Sequence, residues 1–236
     1  MATFLTIQQR VQTWLRDLPA DTIAEIPALL NEAQRELQRQ YNFRVMQASV
    51  QFTTVAAANT LGTVSDFKEA RRRPFWTDND SSTHPMKWQP SLDYLIQRYD
   101  DDSVGAPKFV FWSAVDASNV ATFQVYPKSD SLSLWPGGEY RVTIPYWKLI
   151  PPLSGAGDTN WFTNNADKYL RLHAIGWATL LNIDEARGAT YLRAADVEAQ
   201  RLIAADKLAV VQQPEDFPYS ENADRQTGGS TTWWEW

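Results

Sequence analysis

The stretch from Asn164 to Val211 limits what this chain can build more than any other. It reads as two long helices. In the first, Leu170, Ala174, Trp177 and Leu181 recur at helical spacing, and Tyr169, Leu172, Ile175 and Leu180 fill most of the remaining circumference. A helix with so little polar surface requires burial against several partners. The second, from about Asp184 to Ala209, sets Leu192, Ala195, Ala199 and Leu202 along one stripe. Small residues there allow a neighbouring helix or subunit to approach closely. The pair reads as scaffold, with no chemistry visible in it.

At 236 residues the chain can bury a sizeable core in one or two domains. A formal charge of −6 and a pI near 5.0 argue against a general binder of nucleic acid or anionic membranes, which needs basic patches. An acidic surface would also let DNA slide past without sticking. The absence of cysteine excludes disulfides, thiolate nucleophiles and thiolate metal sites, and fits assembly in a reducing cytoplasm. No basic-then-apolar leader opens the sequence, and no window approaches the ~18 apolar residues of a membrane span.

Thr6 to Leu18 predicts an amphipathic helix, with Thr6 and Gln9 at capping-box spacing and Pro19 ending it. A second helix follows, with Asp21 as its possible cap and Ile26, Leu29, Leu30, Ala33, Leu37 and Tyr41 toward a core. Its opposite face, Glu32, Arg35, Glu36 and Arg39, reads as solvated. Pro27 must sit near the first turn or bend this helix. The period then changes. Val50, Phe52 and Thr54 alternate with polar neighbours as a strand does, and Lys108 to Trp112, Ala121 to Tyr126 and Tyr140 to Trp147 read as three more strands. Pro90 to Tyr99 is a short helical candidate. Helices flanking a β-rich middle imply an α+β fold: residues 1–46 and 161–211 as a helical bundle, 47–160 as an inserted β lobe, and 212–236 as an extended arm.

Candidate chemistry is sparse. His84 and His173 lie in different segments, and no ligand set with zinc spacing accompanies them. His173 reads as a hydrogen-bonded core histidine. Asp78, Asp80 and Ser82 have the alternate spacing of a calcium loop, but Thr83 and Gln89 stand where glycine and a bidentate glutamate belong. No G-x-S-x-G elbow occurs, and the Gly155-Ala156-Gly157 loop lacks the lysine of a phosphate loop. The chain therefore reads as a non-enzyme without cofactor or metal. Two alternatives stay open: a carbohydrate-binding module using Trp112, Trp135, Tyr146 and Trp147, or a cell-wall hydrolase using an acid pair that sequence cannot single out. Arg71-Arg72-Arg73 followed by Phe75 and Trp76 is the one basic-aromatic cluster. On a strand Arg71 and Arg73 would share a face, to contact a partner or neighbouring acids.

Beyond Val211 the chain turns polar and proline-containing, then reaches Trp233-Trp234-Glu235-Trp236. Ordering backbone costs ~1–2 kcal/mol per residue, and burying a tryptophan returns ~5 kcal/mol at most. Three tryptophans can anchor this segment but cannot order all of it. An apolar anchor on a polar tether suits docking into something else.

In order, the helix IPALLNEAQRELQRQYNF, the strand-like LGTVSDFKEARR, GAPKFVFW with ATFQVYPKSD, YRVTIPYWKLIPPLS, and the pair NADKYLRLHAIGWATLL and RAADVEAQRLIAADKLA form a pattern. It resembles the head-to-tail adaptor, or connector, proteins of tailed double-stranded DNA bacteriophages, a group that includes the tail tubular proteins of podoviruses, over about residues 5 to 210. That resemblance implies a homo-oligomeric ring, commonly of twelve copies, in the neck of the virion. The ring would sit between the portal protein and a tail tube or nozzle protein, would pass double-stranded DNA without sequence-specific binding, and would make no membrane contact. It implies a portal-docking arm anchored by Phe217, Tyr219, Trp233, Trp234 and Trp236. The stripe Ala195, Ala199 and Leu202 is the expected subunit contact, and Arg71, Arg73 and Trp135 are expected to face the tail or another partner.

Overall fold

The computed structural model describes residues 2–15, 19–77, 82–89, 91–98, 103–112, 120–130 and 140–212. Helix α1 (Phe4–Trp14) begins two residues before Thr6, because Thr3 is the cap and accepts from the Thr6 amide at 3.2 Å. Its apolar positions Phe4, Ile7 and Val11 are buried. Helix α2 (Ala20–Gln40) starts after Pro19 without a side-chain cap, so Asp21 falls inside its first turn. Pro27 therefore lies past that turn, where its missing N–H leaves the Ile23 carbonyl without its helical donor. The charged face of α2 is as expected, with Glu32 held by Arg35 and Arg39 at 3.2 Å each.

A single 3-10 turn (Arg44–Met46) leads into strand β1 (Gln47–Thr53), followed by β2 (Thr60–Val64), β3 (Phe67–Ala70), β4 (Phe75–Thr77), β5 (Thr83–Pro85), β6 (Lys87–Trp88), the short α3 (Leu92–Arg98), β7 (Val104–Gly105), β8 (Phe109–Trp112), β9 (Ala121–Tyr126), β10 (Lys128–Ser129) and β11 (Arg141–Lys148). Strand β11 organises the lobe. It pairs antiparallel with β1 from Arg141 to Trp147, and its other edge is shared between β4 and β3. Pro145 stands in the gap between those two partners, where β11 has no neighbour on that side needing its missing donor. A second sheet, ordered β2-β9-β8-β6, lies against the first. Val142, Ile144 and Tyr146 from β11 meet Phe67, Val110, Phe123 and Val125 in one closed core. The alternation read from the sequence is the alternation of these inward and outward side chains.

The chain returns to helix through α4 (Trp161–Asn165), α5 (Asp167–Asn182) and α6 (Glu185–Gln212). This is the α+β arrangement expected, helices at both ends and strands between. Helices α1, α2 and α5 pack with α6 around Leu30, Leu37, Phe43, Phe162, Leu170 and Ala174. Two glycines set the α5–α6 distance. A Cβ on Gly176 would lie 2.8 Å from Leu192 Cδ2, and one on Gly188 would lie 2.6 Å from the Leu180 Cα. Leu170 and Ala174 are fully enclosed, but the same stripe emerges at Trp177 and Leu181. The face of α5 that carries Trp177 and Leu181 is thus uncovered, while Ala178 and Thr179 beside it stay buried.

The linker 149–160 belongs to the helical side. Leu153 sits in the helical core, and side-chain amides of α2 hold the linker backbone. The Ile150 N–H donates to Gln38 Oε1 at 2.7 Å, Gln34 Nε2 donates to the Ile150 and Pro151 carbonyls at 3.0 Å, and Asn31 bonds both the N–H and the carbonyl of Leu153.

Candidate functional site

Two surfaces stand out, at opposite ends of the helical layer. The first is at the foot of α6. Asp206 is the only buried charged residue among the described residues. It accepts from the Arg44 backbone N–H at 3.2 Å and from Arg44 Nε at 3.4 Å. The same guanidinium donates to the Ala209 carbonyl at 3.4 Å, one of the last four carbonyls of α6, which have no helical donor. Tyr41 lies beside Asp206; burial, then the carboxylate, pushes its hydroxyl above the ordinary value.

Around this pair opens a cleft of about 390 Å³ lined by Tyr41, Asn42, Arg44, Gln47, Arg71, Arg72, Trp147 and Asp206. The arginine triplet is not on a strand, because β3 ends at Ala70. It forms the crossover from β3 to β4 past Pro145, whose carbonyl accepts from the Arg71 N–H at 3.2 Å. The Arg71 guanidinium lies 5.5 Å over the Trp147 ring, and the Arg72 carbonyl accepts from Trp88 Nε1 at 2.9 Å. Burial, then the neighbouring Arg72 charge, holds the Arg71 value below that of a free arginine. Arg71 thus points into the cleft, whereas Arg73 is exposed outside it. Three arginines, one carboxylate and two aromatic rings thus meet in this lining. Arg44 and Asp206 escaped the sequence reading, being 162 positions apart in the chain.

The second surface is the tip of the α5–α6 hairpin. Trp14 is 62% exposed and stands edge-on to Tyr191, with ring centroids 6.5 Å apart. Leu181 and Ile183 are 63% and 52% exposed, and Trp177 is 38% exposed. Just below, His173 is buried. Trp177 Nε1 donates to its Nε2 at 3.4 Å, so the ring proton belongs on Nδ1, which has no partner. Burial lowers the His173 value, against the pull of Glu36, Asp196 and Glu32.

The remaining expected site residues are placed as follows. Ala195 and Ala199 are enclosed within the subunit's own core and Leu202 packs against it. The stripe expected at a subunit contact is therefore occupied by its own bundle. Trp112 meets Trp88 and Phe67, and Tyr146 is buried with its hydroxyl donating to Asp66 at 2.9 Å. Trp147 lies beneath Arg71 and packs on the helical core. Trp112 and Tyr146 thus pack inside the lobe, whereas Trp147 lines the cleft. Asp78, Asp80, Trp135, Phe217, Tyr219, Trp233, Trp234 and Trp236 lie outside the described residues. Among the described residues, no group of three or more His, Asp or Glu side chains stands where it could hold a metal ion. Likewise, no described helix is long and apolar enough to cross a membrane.

The family model described as SU10 adaptor protein matches residues 2–224, which span the helical layer, the lobe and all of α6. The chain belongs to the SU10 adaptor family. This is a family of phage head-to-tail adaptors, and it makes the protein a phage structural adaptor associated with the neck and tail of the virion and with portal and tail components. No curated protein matches the chain. For a SU10 adaptor, the two surfaces above are where partners are to be sought.

Proposed function

We propose that this SU10 adaptor closes into a ring of like copies, twelve by the family resemblance, that joins the portal to the tail and lets double-stranded DNA through. The observation that carries the reading is the uncovered tip of the hairpin. Fully burying a side chain the size of Leu181 or Ile183 contributes about 1.5–3 kcal/mol, and the protein leaves Trp14, Leu181 and Ile183 more than half exposed together. A neighbouring copy that covers them supplies the missing partner, in place of the Ala195, Ala199 and Leu202 stripe. The net charge of −6 suits passage of DNA without specific binding. In this reading residues 212–236 are the portal-docking arm, with Phe217, Tyr219, Trp233, Trp234 and Trp236 as anchors, since interface energy concentrates in buried aromatic side chains. Arg73 and Trp135 are the lobe's contacts toward the tail.

The test is electron microscopy of the protein mixed with its portal. A ring of density beneath the portal is expected. Absence of any ring or bound density overturns the reading. Deleting Gln212 to Trp236 is expected to abolish attachment while leaving the melting temperature of the isolated protein nearly unchanged. A large drop in melting temperature would show instead that the segment folds into its own core.

A further inference from the structure

Among the described residues the lobe leaves one long sheet edge open. Strand β1 is the end strand of its sheet and pairs with β11 alone. The Thr54 N–H donates to the Tyr140 carbonyl at 3.0 Å, one register step beyond the Thr53–Arg141 pair, so Thr54 turns its backbone toward the β11 side. By alternation Phe52, Val50 and Ala48 do the same, and Gln47, Ser49, Gln51 and Thr53 turn theirs outward. Pro145, opposite Ser49, agrees, since its carbonyl points away from β1 to the Arg71 N–H. The Gln47 N–H is taken by the Arg44 carbonyl. The outward N–H groups of Ser49, Gln51 and Thr53, and the outward carbonyls of all four residues, have no partner among the described residues.

Proteins blunt such edges with short strands, proline, bulges or charge, because an open edge recruits another chain. The other edges of these two sheets are blunted in those ways. β5 has three residues and closes on Pro85, which lacks a donor, and a bulge breaks β2 between Thr60 and Gly62. β6 has two residues, and β3 carries Lys68 and Glu69. β1 has seven residues with no proline, charge or bulge.

We propose that β1 is a docking edge for a second copy of this chain, β1 against β1 in antiparallel register about a two-fold axis at Val50. That register sets Ser49 opposite Gln51 and Gln47 opposite Thr53, so each free N–H meets a free carbonyl of the other copy. Val50 meets its own image and Ala48 meets Phe52. The core-facing side chains therefore stay on one face, and the exposed Ser49, Gln51 and Thr53 stay on the other. No charged side chain in Gln47–Thr53 is brought against its like. No other edge of these sheets offers a strand of matching length, which leaves the second β1 as the occupant. A two-fold contact cannot close the head-to-tail ring proposed above. The pair is the form of the free adaptor before that ring, and the hairpin tip takes no part in it.

Sedimentation equilibrium of the full-length protein is expected to show a monomer–dimer equilibrium. Gln51→Pro removes an outward N–H and no bond of the β1–β11 ladder. It is expected to weaken the dimer at least about tenfold, one hydrogen bond being lost on each side of the axis. Gln51→Lys sets like charges near the axis and should act the same way; it decides the point where circular dichroism finds the proline variant misfolded. Leu181→Lys, at the hairpin tip, should leave the dimer unchanged.

The chain contains no cysteine, so a single introduced one can link only two chains. Val50→Cys places the thiols in a non-hydrogen-bonded pair with Cα atoms about 4.5 Å apart, within disulfide reach. Thr53→Cys places them about six residues apart along the strands, about 20 Å at about 3.3 Å per residue. Under mild oxidation Val50→Cys is expected to cross-link at least about tenfold faster. Four results would each overturn the proposal: a monomer at every concentration, a dimer indifferent to both Gln51 variants, a dimer broken by Leu181→Lys, or equal rates for the two cysteines. The experiment uses the protein without its portal, so its failure is distinct from a failure to form the ring.

Discussion

The two ends of the α5–α6 hairpin are built on opposite plans. At the foot, Phe43 is fully buried against Tyr41, Trp161 and Phe162 with near-perpendicular or tilted rings, and every charged group of the Arg44–Asp206 pair has a partner. At the tip, the same apolar helix runs past the end of its cover, leaving Trp177, Leu181 and Ile183 to solvent. Helix periodicity is the same at both ends; only the supply of partners differs. The foot is completed by its own chain, through the linker and α4. The tip offers what a second molecule would complete.

The contrast can be broken from its strong end first. Phe43→Ala should lower the stability of the isolated subunit by about 3–5 kcal/mol in urea unfolding followed by circular dichroism, the cost of a large ring removed from a full core. A loss under 1 kcal/mol would mean the foot is loosely packed. Gly188→Ala tests the helix crossing. Alanine gains about 1 kcal/mol in helix propensity, but its Cβ meets Leu180 backbone atoms that cannot swing aside. The clash should win, with a net loss of about 1–3 kcal/mol by the same measurement. Gln38→Ala strips the Ile150 N–H of its acceptor, and leaving a donor unsatisfied at that joint should cost about 1–3 kcal/mol. Amide exchange at Ile150 should accelerate in that variant while the middle of β11 stays protected.

The pH dependence sits between the two ends. Burial lowers the His173 value below the ordinary 6.5, so the unfolded chain takes up a proton first as pH falls. The contribution of His173 to stability is therefore complete above pH 6.5 and declines as pH drops through that value toward the folded one. Melting temperature measured between pH 7.5 and 5 should fall, and His173→Gln should flatten that part of the curve. An unchanged slope would place the effect elsewhere. The smallest change belongs to the tip: Leu181→Ala should alter the stability of the isolated subunit by less than about 0.5 kcal/mol, yet weaken assembly of the proposed ring in sedimentation. Equal losses for Leu181→Ala and Phe43→Ala would erase the distinction between tip and foot.

Periodicity made most of the fold legible. The alternation around Val50 and Phe52, the three later strands and the long helix pair all follow from which side chains face a core. What periodicity cannot encode is who covers an apolar face. Trp177 and Leu181 continue the stripe of Leu170 and Ala174 without a break, so sequence assigned all four to one burial. Nor does polarity distinguish a solvated amide from one holding a linker, and Asn31, Gln34 and Gln38 passed unnoticed between the charged and apolar faces of α2. Arg71 was singled out for its neighbours in sequence. Its cleft depended on Arg44 and Trp147, which no local pattern joins to it. The small residues Ala195 and Ala199 correctly signalled close approach, but the approaching element is α5 of the same chain.

The grip of α2 on the linker has a mechanical consequence. Asn31, Gln34 and Gln38 lie along one face of a single helix and hold successive backbone groups from Ile150 to Leu153. A pull on β11 therefore loads those bonds in parallel, in shear, instead of peeling them one by one. The linker that joins the lobe to the helical layer is thus fastened along α2. A load on the lobe in the proposed ring would reach α2 within a few residues, and the first part to yield under it should be the row of amides.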